Sequence, residues 1–267
     1  MLWVSSTGEG LGYGKGMRKG RGDDAHSATM MVARAAARRA TMRGGRSRLV
    51  ATMRRNGGKG FMREVQDVRE GREDGVKEID FQAPLQIVKY PDPRLRAKNM
   101  RIDEFGDSLR EFAKEMLMAM VEYDGIGLAA PQVGVNVRLM VFNPEGDPEK
   151  GPDYVLVNPR IVKSSNRHSV FEEGCISFPD IYAEVLRPER VTVEYQDLDG
   201  KKCKMQLNGL KARVFQHEYD HLQGVLFHDR MSPEVLETVR NDLEAMEQDF
   251  ARENPGVQIR KVAKVTA

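Results

Sequence analysis

Charge is divided so unevenly along this 267-residue chain that only part of it can build a core. Of 42 Lys+Arg and 40 Asp+Glu in the whole chain, Met1 to Arg63 hold 14 and 3, so a segment of +11 precedes one of −9. The basic segment runs through Gly-rich stretches (Gly8 to Gly22), an Ala/Arg stretch (Ala33 to Ala40) and Arg43, Arg46, Arg48, Arg54 and Arg55, with few large aliphatics. Such a composition cannot bury enough apolar surface to offset the entropy of ordering it. Arg-rich, acid-poor N-termini of this kind resemble organelle transit peptides, which are removed after import. A plastid is the expected destination, with the mitochondrion as the alternative. The competing reading is a basic tail that meets nucleic acid electrostatically, but no interleaved aromatics support it, so no direct nucleic-acid function is required. The expected divisions are a basic extension at 1–63, a linker at 64–82, a catalytic domain at 83–253 and a tail at 254–267.

No apolar run reaches the roughly 18–20 residues that a membrane span needs, and no secretory signal opens the chain, so a soluble protein is expected. Cys175 and Cys203 form neither a C-x-x-C pair nor a disulfide framework, which points to a reducing compartment. Within the folded part, Leu109, Phe112, Ala113, Met116, Leu117, Met120 and Val121 follow helical spacing, with Asp107 or Ser108 as the cap. The methionines there read as core filler rather than ligands. Short β-like runs follow at Val137–Phe142, Tyr154–Val157, Ser169–Phe171, Val191–Tyr195 and Cys203–Leu207, and the turn Asp197–Gly200 joins the last two as a hairpin. A second helix is expected from about Leu210 to Gln223, ended by Gly224, and a third from Pro233 to Arg252, capped by Ser232. Segregated helices and strands indicate an α+β fold, with antiparallel strands packed around the central helix between an N-terminal amphipathic helix and a C-terminal helix.

That central helix contains His217-Glu218-Tyr219-Asp220-His221, an H-E-x-x-H sequence. Positions i and i+4 share one face, so both imidazoles can hold one metal while Glu218 reaches water beside it. A surface helix with this spacing by coincidence is the bland alternative. Asp220 reads either as a solvated charge or as a group that orients a ligating imidazole. A catalytic site needs a third protein ligand, and Cys175 in Glu173-Gly174-Cys175-Ile176-Ser177 is the candidate, against the usual role of a lone Cys as a small buried hydrophobe. Cys203 is explained by alternation along its strand.

The loop Gly125-Ile126-Gly127-Leu128-Ala129-Ala130-Pro131-Gln132 fits G-x-G-x-x-A, but it follows an amphipathic helix and runs toward a strand, the reverse of what a dinucleotide site requires. Its backbone can instead approach a peptide, and the Gln132 amide can donate to an oxyanion, unless Gln132 is merely exposed loop.

The loop, the E-G-C-x-S segment and the Q-H-E-x-D-H helix, in this order, resemble the three motifs of peptide deformylases. The resemblance runs from about Leu85 to Arg230, and Phe178-Pro-Asp-Ile-Tyr-Ala183 with the long C-terminal helix is similar to the plastid-type branch. It implies hydrolysis of the N-formyl group from the formyl-methionine of nascent chains. Cys175, His217 and His221 are then ligands of one divalent metal, physiologically iron(II), with zinc(II) as an alternative in isolated protein. Glu218 is the implied general acid/base and Gln132 and the Ile176 N–H the oxyanion donors. Gly127 and Ile126 contact substrate, as do Gln132 and Ile176. Ile176 departs from the family's usual Leu. Contact with the ribosome through the C-terminal segment and a homodimer are left open. The enzymatic rival is a zinc metalloprotease, but no third His follows the H-E-x-x-H, and Cys175 has no role in that chemistry. The rival from another class is a silent metal- or nucleic-acid-binding protein.

Overall fold

The stripe of apolar residues after Asp107 forms α1 (Asp107–Glu122) and buries Leu109, Phe112, Ala113, Met116, Ala119 and Met120. At about 100° per residue, Val121 falls well off this stripe and is 47% exposed, while Ala119 takes a place in it. The helix is capped by the Gly106 backbone with no side-chain bond, so the expected cap at Asp107 or Ser108 is not made. Asp107 instead sits in the first turn, where the helix dipole favours an acid, and the Ser108 hydroxyl accepts from the Ile79 N–H at 3.4 Å. The structure, a computed structural model, describes residues 75–263. The basic extension expected at 1–63 lies outside the described residues, as does the first part of the linker expected at 64–82.

Seven strands follow: β1 (Gly127–Ala129), β2 (Leu139–Phe142), β3 (Tyr154–Ser164), β4 (His168–Cys175), β5 (Phe178–Pro188), β6 (Arg190–Gln196) and β7 (Lys202–Asn208). Five form an antiparallel sheet in the order β1-β2-β3-β6-β7, and β4 and β5 pair separately as an antiparallel hairpin. The turn between β6 and β7 uses Gly200 at φ +78, and the Asp197 carboxylate accepts from the Asp199 and Lys201 N–H groups. β5 alternates as a half-buried strand should, with Ile181, Ala183, Val185 and Arg187 inward. An arginine at an inward position hides that alternation from a reading by hydropathy. β1 was equally hidden, being three residues within a glycine-rich loop.

α2 (Gly209–Leu222) lies at the centre, packs against strands of both sheets, and is buried continuously from Ala212 to Leu222. It ends as expected, with Gly224 at φ +67. α3 (Pro233–Glu253) starts on Ser232, whose hydroxyl accepts from the Val235 N–H at 3.3 Å, and packs against β5. The architecture is therefore α+β, with antiparallel strands around a central helix. Packing also extends beyond 83–253: Val76 bridges to Ile102, Ile79 and Phe81 join the α1 cluster, and Val262 is buried beside α3. No helix among the described residues is long and apolar enough to cross a membrane.

Candidate active site

β4 ends at Cys175, and a tight turn at Ile176 and Ser177 leads into β5, with Cys175 paired to Phe178. Gly174 is needed there, because a Cβ at that position would lie 2.6 Å from a ring carbon of Tyr182. α2 presents His217 and His221 from successive turns toward this hairpin end. One ligand atom each from Cys175, His217 and His221 lie within 4.8 Å of one another, and all three residues are buried. Cys175 Sγ is 3.4 Å from His221 Nε2. His217 uses Nδ1 on Glu173 Oε2 at 3.0 Å, which leaves Nε2 with no hydrogen-bond partner among the described residues. One thiolate sulfur and two imidazole nitrogens, one of them orphaned, suit a divalent transition metal.

Gln132 is fully buried in the short turn after β1, so the exposed-loop reading fails. Its Oε1 accepts from the Ala129 N–H at 2.8 Å, which orients the amide. Nε2 then points to Cys175 Sγ and Ser177 Oγ, each at 3.5 Å. Glu218 is also fully buried, and β1 lies against it: a Cβ on Gly127 would meet Glu218 Oε1 at 2.6 Å and Val214 Cγ1 at 2.8 Å. Glycine at 127 is thus a condition of the glutamate's placement. Ile176 is half-buried at the hairpin turn next to Cys175. Ile126 is half-buried and packs on the apolar cluster that contains Phe142, Val214 and Phe215.

The family whose model is described as polypeptide deformylase matches residues 84–237, more than half of this chain. The chain belongs to that family. A chloroplastic peptide deformylase 1B of Oryza sativa subsp. japonica is 57% identical over 173 residues, which cover 65% of this chain and 64% of the relative. One from Arabidopsis thaliana, named chloroplastic/mitochondrial, is 54% identical over 65% of this chain and 63% of its own length. The chain thus spans less than two thirds of the length of these plant relatives. A crystal structure of a plant peptide deformylase superposes with a TM-score of 0.67 at 51% identity, covering 69% of this chain and all of that one.

The deformylase match contains every residue of the site, and also a charged network that sequence reasoning missed. Glu173 is fully buried and accepts from Arg187 Nε at 2.7 Å and Nη2 at 2.9 Å, and from Arg213 Nη1 at 2.9 Å. Arg187 continues to Asp220 Oδ2 at 2.6 Å, and Arg230 Nη2 reaches Asp220 Oδ1 at 2.5 Å. The carboxylate that orients the His217 imidazole is therefore Glu173. Asp220, offered that role by its place in the motif, reaches His217 only through Arg187 and Glu173. Burial pushes the Glu173 carboxyl up, but Arg187 and His217 outweigh it and hold it well below the usual carboxylate range. Burial pushes His217 down, and Cys175 and Glu173 reverse this and raise it to about 9. Burial likewise pushes the Cys175 thiol up, yet His221 and His217 help hold it well below its usual value. The only sequence signal for the network was an arginine or acid wherever the periodicity called for an apolar residue.

Proposed function

We propose that this chain hydrolyses the N-formyl group from the formyl-methionine of nascent polypeptides, giving formate and a free N-terminus. The observation that carries the reading is the convergence of Cys175, His217 and His221 within 4.8 Å, with Glu218 buried on the same helix. Cys175 Sγ and one nitrogen of each imidazole hold one divalent metal, iron(II) in the working enzyme and zinc(II) as the alternative in isolated protein. Bound there, the metal supplies acidification of water and polarisation of the formyl carbonyl. Glu218 takes the proton of the attacking water and returns it to the amine that leaves as the formyl C–N bond breaks. The Gln132 amide and the Ile176 N–H hold the developing oxyanion. The Gly127 backbone contacts the substrate chain, and Ile126 lines the methionine pocket.

The chloroplastic names of the relatives and the basic, acid-poor N-terminus support a plastid location. Substrates on the ribosome place the enzyme near it. α3 carries seven acids against two arginines, so any attraction to phosphate falls on Arg260 and Lys261 rather than on that helix.

The test is formate release from a formyl-Met tripeptide by the full-length chain, purified anaerobically with iron(II). Gln132→Ala is expected to fold and load metal but to turn over about 100- to 1,000-fold more slowly. Metal-loaded wild type that releases no formate sinks the reading, and cleavage of internal peptide bonds instead makes the chain a metalloprotease.

A further inference from the structure

The two oxyanion elements are far apart in the chain, and one short extended segment holds both. Val88 N–H donates to the Gln132 carbonyl at 2.8 Å, and Tyr90 N–H donates to the Ser177 carbonyl at 2.8 Å. Residues two apart in an extended chain point their N–H groups the same way, so this segment bonds both the turn that carries the Gln132 amide and the turn that carries the Ile176 N–H. The segment must itself be fixed for the two donors to keep their spacing.

Its anchor comes from α3. The Tyr90 hydroxyl donates to Glu247 Oε1 at 2.5 Å, and the same oxygen accepts from the Val262 N–H at 2.5 Å. The Tyr90 ring stacks on Phe178 with centroids 4.8 Å apart, directly beyond the Cys175–Ser177 turn. The buried residues of α3 are Val239, Leu243 and Glu247, a stripe at i, i+4 and i+8 in which a carboxylate occupies the third apolar position. Burying a carboxylate is costly unless it is bonded, and packing alone would be served by an aliphatic side chain there. Glu247 and Val262 also lie beyond residues 84–237, which the family match covers.

We propose that Glu247 is a positioning residue for the reaction. Through Tyr90 it ties α3 and the following tail to the segment that spaces the Gln132 and Ile176 donors. The inference rests on the deformylase reading above.

Full-length wild type, Glu247→Ala, Glu247→Gln, Tyr90→Phe and the double variant Glu247→Ala/Tyr90→Phe test it, each iron-loaded and assayed well below its unfolding temperature. Misplaced donors lower kcat rather than binding, so Glu247→Ala and Tyr90→Phe should each lose about tenfold in kcat with metal content unchanged. KM should stay within about twofold. Glu247→Gln keeps an oxygen that accepts both bonds and should stay near wild type. The double variant should be no slower than Glu247→Ala, because one link is being cut twice. Lowered thermal stability with unchanged kcat in Glu247→Ala makes the residue merely structural and overturns the proposal, and so does a Gln variant as slow as the Ala variant. If Glu247→Ala does not fold, kcat of Tyr90→Phe decides the matter alone. Wild type that releases no formate removes the deformylase reading and this inference together, whereas active wild type matched by active Glu247→Ala removes only this inference.

Discussion

α1 and α2, of 16 and 14 residues, bury opposite kinds of surface. α1 hides one apolar stripe and leaves Met118 and Val121 each 47% exposed on its other side. α2 hides eleven consecutive residues, among them Arg213, Gln216, His217, Glu218, Asp220 and His221. α1 is therefore held by packing, and its polar face is free to vary. In α2 Arg213, Gln216, His217, Asp220 and His221 each meet a polar partner on another element, because a buried charge left alone costs more than its burial returns. α2 sets Ala212, Val214, Phe215, Tyr219 and Leu222 into an apolar cluster and turns those polar residues toward bonding partners, which is where a fold departs from packing alone.

Four experiments can break or sharpen this contrast. The largest effect is expected from Glu218→Ala, with kcat for formate release falling about a thousandfold while metal content and melting temperature hold. A large loss of stability in that variant would make α2 resemble α1. Met116→Ala should do the reverse, costing about 3 kcal/mol in urea unfolding through the cavity it leaves, with kcat per folded molecule unchanged. Glu173→Gln keeps the shape but weakens the bond that orients His217, and metal competition should show affinity reduced by up to about a hundredfold. Affinity equal to wild type would assign His217 its orientation from packing alone.

The last of the four concerns pH. Burial, aided by Arg96 and opposed by Asp229, holds His228 down to about 4 from an ordinary 6.5. Between those values the unfolded chain binds a proton that the folded chain refuses, so the stability this group contributes is present above pH 6.5 and lost as pH falls toward 4. The loss over the whole span is about 3 kcal/mol, read as the difference in the pH dependence of unfolding between wild type and His228→Gln. Identical pH profiles would refute it. A Met116→Ala profile parallel to wild type would keep such sensitivity on the charged side of the molecule.

What could be read without coordinates was whatever depends on nearby residues. The stripe of α1, the Ser232 cap, the Gly224 stop and the hairpin at Asp197–Gly200 were legible, because each is decided within a turn or two of chain. The spacing of His217 and His221 was legible for the same reason. Glu173 was not: nothing in a strand says that it will meet a helix 44 residues later. Arg187 and Glu247 were missed because each stands where an apolar residue would complete a pattern, so each reads as the pattern's end. For Gln132 the residues alone left oxyanion donor and exposed loop both open, because a short turn carries no signal of what covers it.

The placing of Cys175, His217 and His221 along the chain has a consequence for the order in which the molecule matures. Cys175 stands 46 residues ahead of His221, so in a chain made from its N-terminus the thiol appears well before either imidazole. No partial chain that stops short of α2 can bring the three side chains together, because that requires the hairpin end and the helix to have met. In the folded chain the Cys175 thiol is buried, and exposed thiols are the ones that oxidants reach first. If the trio takes the proposed ion, its uptake is a late step, completed only after α2 has met the hairpin end.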